Sequence, residues 1–154
     1  MLEVNDTAPA FQLPATGDQT LCLDDFNGRR LVLFFYPRDS TPGCTREGQD
    51  FRDQYEQFQA LNTDILGVSR DSMRAHENFK AKQSFPFELL SDADEILCQA
   101  YDVIKDKKMY GREVRGIERS TFLIDEGGKL RAIWRKVKVP GHVDAVLEAV
   151  QSLS

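Results

Sequence analysis

The chain has only two histidines, His76 and His142, and neither a CxxC nor an HxxxH spacing occurs in it. A zinc site would find almost no ligands, so no metal is expected. Cysteine is scarce as well. Cys22, Cys44 and Cys98 cannot all pair within the chain, and a reducing compartment would keep structural thiols reduced, which argues against a disulfide scaffold. At least one thiol needs another explanation. No apolar run approaches the ~20 residues that span a bilayer. The opening Met1-Leu2-Glu3-Val4-Asn5-Asp6 lacks both a basic and an apolar region, so the expected address is the cytoplasm. Excess positive charge is also missing: a net charge of -5 works against a nucleic acid or a membrane as partner and leaves small molecules or proteins.

What is present describes an ordinary globular protein. With 154 residues, 41% hydrophobic and 29% charged, and no repeat or low-complexity linker, the chain reads as one domain over 1–154. Leu31-Val32-Leu33-Phe34-Phe35-Tyr36, ended by Pro37, is the continuous apolar run of a strand buried on both faces. Beyond Pro42-Gly43 the period changes. Phe51, Tyr55, Phe58 and Leu61 recur every three or four residues, which predicts a helix that starts near Cys44 and packs on the sheet. Residues 65–68 read as a second buried strand, and Asp71 or Ser72 can cap a helix carrying Met73 and Phe79.

Residues 87–90 predict a short strand, and Ile96, Leu97, Ala100 and Tyr101 one face of a short helix. Residues 104–118 hold Lys105, Lys107, Lys108, Arg112 and Arg115 around two glycines, which predicts an exposed loop. Ser120–Ile124 and Leu130–Trp134 flank Asp125-Glu126-Gly127-Gly128 as a hairpin, and Val143, Val146, Leu147 and Val150 mark a closing amphipathic helix. Residues 18–23 add an N-terminal hairpin arm. A βαβα order followed by a hairpin and a helix packs as a mixed sheet with helices on both faces, an α/β class that resembles the thioredoxin fold.

The chemistry centres on Cys44. A cysteine reacts as its thiolate, and a free pKa near ~8.5 is lowered by a helix N-terminus and a nearby cation. Pro42 and Gly43 let the chain turn tightly into the helix, so that backbone N–H groups point at a bound anion or oxygen. Thr41 can turn its hydroxyl into the same loop, and Pro37 can shield the sulfur. On position alone, a buried packing thiol is an equal reading.

Pro37, Thr41 and Cys44 match the Pro-x-x-x-Thr/Ser-x-x-Cys motif of peroxiredoxins. Phe34-Phe35-Tyr36-Pro37 and Thr41-Pro42-Gly43-Cys44-Thr45 resemble the bacterioferritin comigratory protein (Bcp, PrxQ-like) subfamily, and the likeness runs nearly end to end. It takes in Asp6-Thr7-Ala8-Pro9-Ala10-Phe11-Gln12-Leu13-Pro14, Leu90-Ser91-Asp92 and Gly116-Ile117-Glu118-Arg119-Ser120-Thr121-Phe122-Leu123-Ile124-Asp125. The resemblance implies an antioxidant peroxidase that reduces hydrogen peroxide and organic hydroperoxides without metal, haem or flavin. Cys44 would attack one peroxide oxygen and become a sulfenic acid. Arg119 would favour the thiolate and stabilise charge on the breaking O–O bond. Thr41 would hydrogen-bond the sulfur or the peroxide, Pro37 would limit solvent access, and Glu47 would orient Arg119.

The sequence departs from this subfamily at the resolving cysteine. The position five residues after Cys44 is Gln49, and the alternative on the next helix is Lys80. Cys98 reads as a core thiol, and Cys22, alternating with Leu21 and Leu23, as a partly exposed strand residue. A one-cysteine cycle follows, with thioredoxin, glutaredoxin or glutathione reducing the sulfenic acid. A two-cysteine cycle through Cys98 and a peroxide sensor that binds a partner protein stay open. A thioredoxin-like dithiol enzyme is disfavoured because Glu47 stands where its second cysteine belongs. His76 and His142 are expected at the surface, Trp134 in packing, and the basic stretch 105–115 as solvated surface or a docking site for an acidic reductant. The resemblance implies a monomer or a weak homodimer.

Overall fold

A computed structural model describes residues 1–153, so Ser154, counted in the expected domain, lies outside the described residues. In chain order the elements begin with β1 (Gln12–Ala15), β2 (Gln19–Cys22) and β3 (Arg30–Phe35). α1 (Pro42–Asp53), α2 (Tyr55–Ala60), β4 (Thr63–Ser69), α3 (Met73–Gln83), β5 (Glu88–Ser91) and α4 (Ile96–Ala100) follow. β6 (Ile104–Met109), β7 (Arg112–Ile117), β8 (Ser120–Ile124), β9 (Leu130–Trp134) and α5 (His142–Ser152) complete the chain. Seven strands form one mixed sheet in the order β2-β1-β5-β4-β3-β8-β9, with β3, β4 and β5 parallel and the outer pairs antiparallel. The expected α/β, thioredoxin-like architecture is the one observed. Among the described residues no helix is long and apolar enough to cross a membrane.

β3 explains the two-layered core. All six of its residues are buried, and the two-residue period of a strand sends them alternately to opposite faces. Leu31, Leu33 and Phe35 join a cluster with Tyr101 and Phe122, while Val32 and Phe34, with Tyr36 just past the strand, join Phe51, Phe58 and Phe79 on the other face. Burying a side chain of this size stabilises by roughly 1.5–3 kcal/mol, so the continuous apolar run is what fixes β3 at the centre. Ser72 caps α3, its hydroxyl accepting from the Ala75 N–H at 3.2 Å.

Three expectations are corrected. The helix predicted through Leu61 is two helices, because at Gln54 the backbone leaves helical geometry (φ -110, ψ 10) and its N–H turns back to the Arg52 carbonyl. The apolar spacing runs through this break without marking it. In α4 the inward face is Leu97, Cys98 and Tyr101, while Ile96 is 68% exposed and Ala100 faces solvent. Residues 104–118 form a two-stranded hairpin, β6 with β7, instead of a loop. Its turn residues Tyr110 (φ 53) and Gly111 (φ 78) both lie in the left-handed region that a two-residue hairpin turn requires.

Candidate active site

Cys44 sits in the first turn of α1. Thr41 is the N-cap, extended at φ -81 and ψ 154, and Pro42 takes the first helical position, where its missing N–H leaves no bond unmade. Ser40, at φ 63, supplies the left-handed residue that turns the chain back from β3. Cys44 is 2% exposed.

Arg119 reaches the same place from another strand. Ser120 pairs with Phe35, so β8 begins where β3 ends and the loop toward Cys44 departs. The Arg119 Nη2 stands 3.5 Å from the Cys44 Sγ, and its Nη1 donates to the Glu47 Oε1 at 2.7 Å. A Cβ at residue 43 would lie 3.2 Å from that Nη2, so Gly43 is what lets the guanidinium close on the helix. Burial works to lower the Arg119 pKa, and the charges of Glu47 and Cys44 outweigh it, leaving the group firmly cationic.

Glu47 lies wholly inside. Burial pushes its pKa up to about 7 despite the opposing charge and hydrogen bond of Arg119. Its second oxygen, Oε2, has no hydrogen-bond partner among the described residues and lies 3.9 Å from the His142 Nε2, which is 2.8 Å from the Thr121 Oγ1. Burial, then the Arg119 charge, lowers His142 to about 4, so this ring is neutral near pH 7.

The structure therefore brings Cys44, Arg119 and Glu47 together, with Thr41 at the helix entry. The Thr41 hydroxyl donates to the Arg38 carbonyl at 2.8 Å and not to the sulfur. Pro37 is exposed and lines an open depression with Lys107, Ile117, Glu118, Arg119 and Lys136.

His76 and His142 are corrected outright: both are buried. Each is bonded to partners distant in sequence, Asp39 and Leu90 for His76 and Thr121 for His142, with Glu47 near the latter ring. Sequence reading missed these contacts. The only local signals were the position of Asp39 inside the motif loop and of His142 after Pro140-Gly141 at a helix start. Asp39, Asp71 and His76 bring three ligand-type atoms within 4.8 Å. Both His76 ring nitrogens are already bonded, to Asp39 Oδ2 at 2.6 Å and Leu90 O at 2.9 Å, which leaves no imidazole lone pair for an ion.

The chain matches the model of the AhpC/TSA family over residues 4–133. It is 55% identical over 148 residues to Peroxiredoxin Bcp of Xanthomonas campestris, covering 94% of this chain and 92% of that one. To Peroxiredoxin Bcp of Bacillus subtilis it is 48% identical over 153 residues, covering 99% and 98%. Among solved structures, Xanthomonas campestris Peroxiredoxin Q superposes with a TM-score of 0.89 at 54% identity, over 92% of this chain and 90% of that one. A cysteine-to-serine mutant of Xylella fastidiosa PrxQ superposes with a TM-score of 0.94 at 46% identity, over 99% and 97%. With a reactive-type cysteine at a helix start and an arginine at its sulfur, the chain belongs to the AhpC/TSA family, as a Bcp/PrxQ-type peroxiredoxin, a thiol-dependent peroxidase.

Proposed function

We propose that the chain reduces hydrogen peroxide and organic hydroperoxides in a one-cysteine cycle. The Cys44 thiolate attacks one oxygen of ROOH and the O–O bond breaks. Cys44 becomes a sulfenic acid, and the alkoxide takes a proton to leave as ROH. The observation that carries this reading is the Arg119 guanidinium, 3.5 Å from Sγ and fixed from behind by Glu47. Held there, its charge favours the thiolate and the negative charge that develops on the leaving oxygen. Thr41, its hydrogen committed to Arg38, offers oxygen lone pairs to the peroxide O–H, and Pro37 limits solvent at the mouth. The Xanthomonas campestris relative is described by its alkyl peroxide reduction activity, which supports the same substrate class here.

An external thiol completes the cycle: it condenses with the sulfenic acid to a mixed disulfide and water, and a second thiol releases Cys44. Thioredoxin, glutaredoxin and glutathione all have this chemistry. In support, Gln49 is bonded to Gln83 and Lys80 is paired with Glu88, so neither place offers sulfur. Burial, then Asp92, pushes the Cys98 thiol well up, and a protonated thiol does not attack. Three free cysteines also suit a reducing cytoplasm.

Stopped-flow oxidation of the reduced protein by peroxide tests the proposal. Wild type should react far faster than free cysteine thiolate and Cys44→Ser should not react. Equal rates for wild type and free cysteine would refute it.

A further inference from the structure

Two open depressions share Pro37 as a lining residue. Arg38 and Arg70 line the first together with Asp71 and Glu95, two charges of each sign, and the Arg70 Nη1 donates to the Glu95 Oε2 at 2.8 Å. The second, at Arg119, is not balanced. Lys107, Arg119 and Lys136 line it against one acid, Glu118. Arg119 is taken by Glu47 at 2.7 Å, but neither ammonium has a hydrogen-bond or ion-pair partner among the described residues. A chain of net charge -5 thus presents two uncommitted cations beside the guanidinium that stands 3.5 Å from the Cys44 Sγ.

The fold puts them there. Lys107 lies on β6 opposite Val114, and Ile117, at the end of β7, is buried. Lys136 follows β9 at φ 49, and the Val137 N–H donates to the Arg119 carbonyl at 3.0 Å, which ties this turn to the backbone of Arg119.

We propose that this depression seats the external thiol: a small thiol bearing a carboxylate rests its anionic end on Lys107 and Lys136 while its sulfur meets the Cys44 sulfenic acid. The inference rests on the peroxidatic role proposed for Cys44 and on external resolution. Hydrogen peroxide and simple alkyl hydroperoxides carry no charge for the lysines to hold. A protein reductant would spread about 800 Å² of contact over a broad face, whereas the surplus charge here is confined to one depression beside a balanced one. In the reaction the small thiolate attacks the sulfenic sulfur, an S–S bond forms as the S–OH bond breaks, and the hydroxide takes the proton the thiol gave up and leaves as water. A second molecule of the same thiol attacks the sulfur of the first, which frees Cys44 and closes a symmetrical disulfide.

The test reduces the Cys44 sulfenic acid, made with one equivalent of peroxide, with three thiols of different charge. For the double variant Lys107→Gln/Lys136→Gln, reduction by glutathione should slow about three- to tenfold, the loss expected of two exposed ion pairs. Reduction by uncharged 2-mercaptoethanol should hold, and by cationic cysteamine should quicken. A packing defect would not change sign with the charge of the thiol. Should the variant not fold, wild type carries the same prediction: salt should slow glutathione and leave 2-mercaptoethanol unchanged. All three thiols shifting together, or none shifting, would overturn the seat. So would a variant that keeps its glutathione rate but loses oxidation by linoleic acid hydroperoxide, which would give the lysines to an anionic peroxide, or loses only its rate with thioredoxin, which would give them to a protein. Wild-type oxidation no faster than free cysteine would overturn the reading of Cys44 itself; fast oxidation with no charge dependence in the reduction overturns the seat alone.

Discussion

Cys44 and Cys98 lie on opposite faces of one sheet: Cys44 packs with Phe34 and Phe51, Cys98 with Phe35 and Tyr101. A disulfide needs Cα atoms within about 7 Å, and layers on the two faces of a sheet are farther apart than that. One equivalent of peroxide should therefore leave a sulfenic acid at Cys44, and Cys98→Ser should keep its turnover with an external thiol. Mass spectrometry of the oxidised protein decides this; a Cys44–Cys98 crosslinked peptide would sink the one-cysteine cycle.

Arg119→Ala removes the charge beside the sulfur and leaves Glu47 buried without its cation. Peroxide oxidation should slow by about 10²–10³, the usual loss of one preorganised donor at a reacting centre. Arg119→Lys should recover only part of that, because an ammonium cannot present the two-pronged fork that joins Glu47 to Cys44. Stopped-flow rates for the three proteins, with an unchanged rate in Arg119→Ala as the contrary result, settle the point.

The central architecture was legible because burial on two faces writes a continuous apolar run at β3, and one-sided packing writes the spacing of α5. β6 and β7 were not, since Lys105, Asp106, Lys107 and Lys108 show no alternation and the pairing rests on backbone bonds and a Tyr110-Gly111 turn. Pro42-Gly43 and the helix that follows placed Cys44 at a helix start, and Pro37 and Thr41 in the peroxiredoxin motif singled it out. Arg119 came from family likeness alone, because its place depends on β8 pairing with β3 across most of the chain. His76 and His142 escaped for the same reason: a histidine's partners are set in space, and no spacing rule reaches from Asp39 to His76 or from Glu47 to His142.

Two glycines of α1 separate packing from chemistry. A Cβ at Gly48 would lie 2.4 Å from the Phe85 Cζ, a contact no core tolerates unmoved. Gly48→Ala should lose about 1–3 kcal/mol, read as a lower thermal midpoint. A Cβ at Gly43 would press on the Arg119 Nη2 at the end of a flexible side chain. Gly43→Ala should accordingly keep its thermal midpoint and lose oxidation rate; a loss of stability equal to that of Gly48→Ala would contradict the placement of Arg119.

Glu47 and His142 pull the stability profile in opposite directions. The pKa of Glu47 is about 7 in the fold against an ordinary 4.5, so the folded state keeps the proton longer than the unfolded one. Its contribution is complete below pH 4.5 and is lost as the pH rises through about 7. The pKa of His142 is about 4 against an ordinary 6.5, so its contribution is present above pH 6.5 and is lost as the pH falls through about 4. Glu47→Gln should therefore gain on wild type as the pH is raised across the range where Glu47 ionises, by on the order of 2 kcal/mol. His142→Gln should gain on wild type in the other direction, as the pH is lowered from neutral. Thermal midpoints of the three proteins measured at acidic, neutral and mildly alkaline pH test both; differences that stay flat with pH would mean that burial does not hold these two groups in the protonation states derived for them.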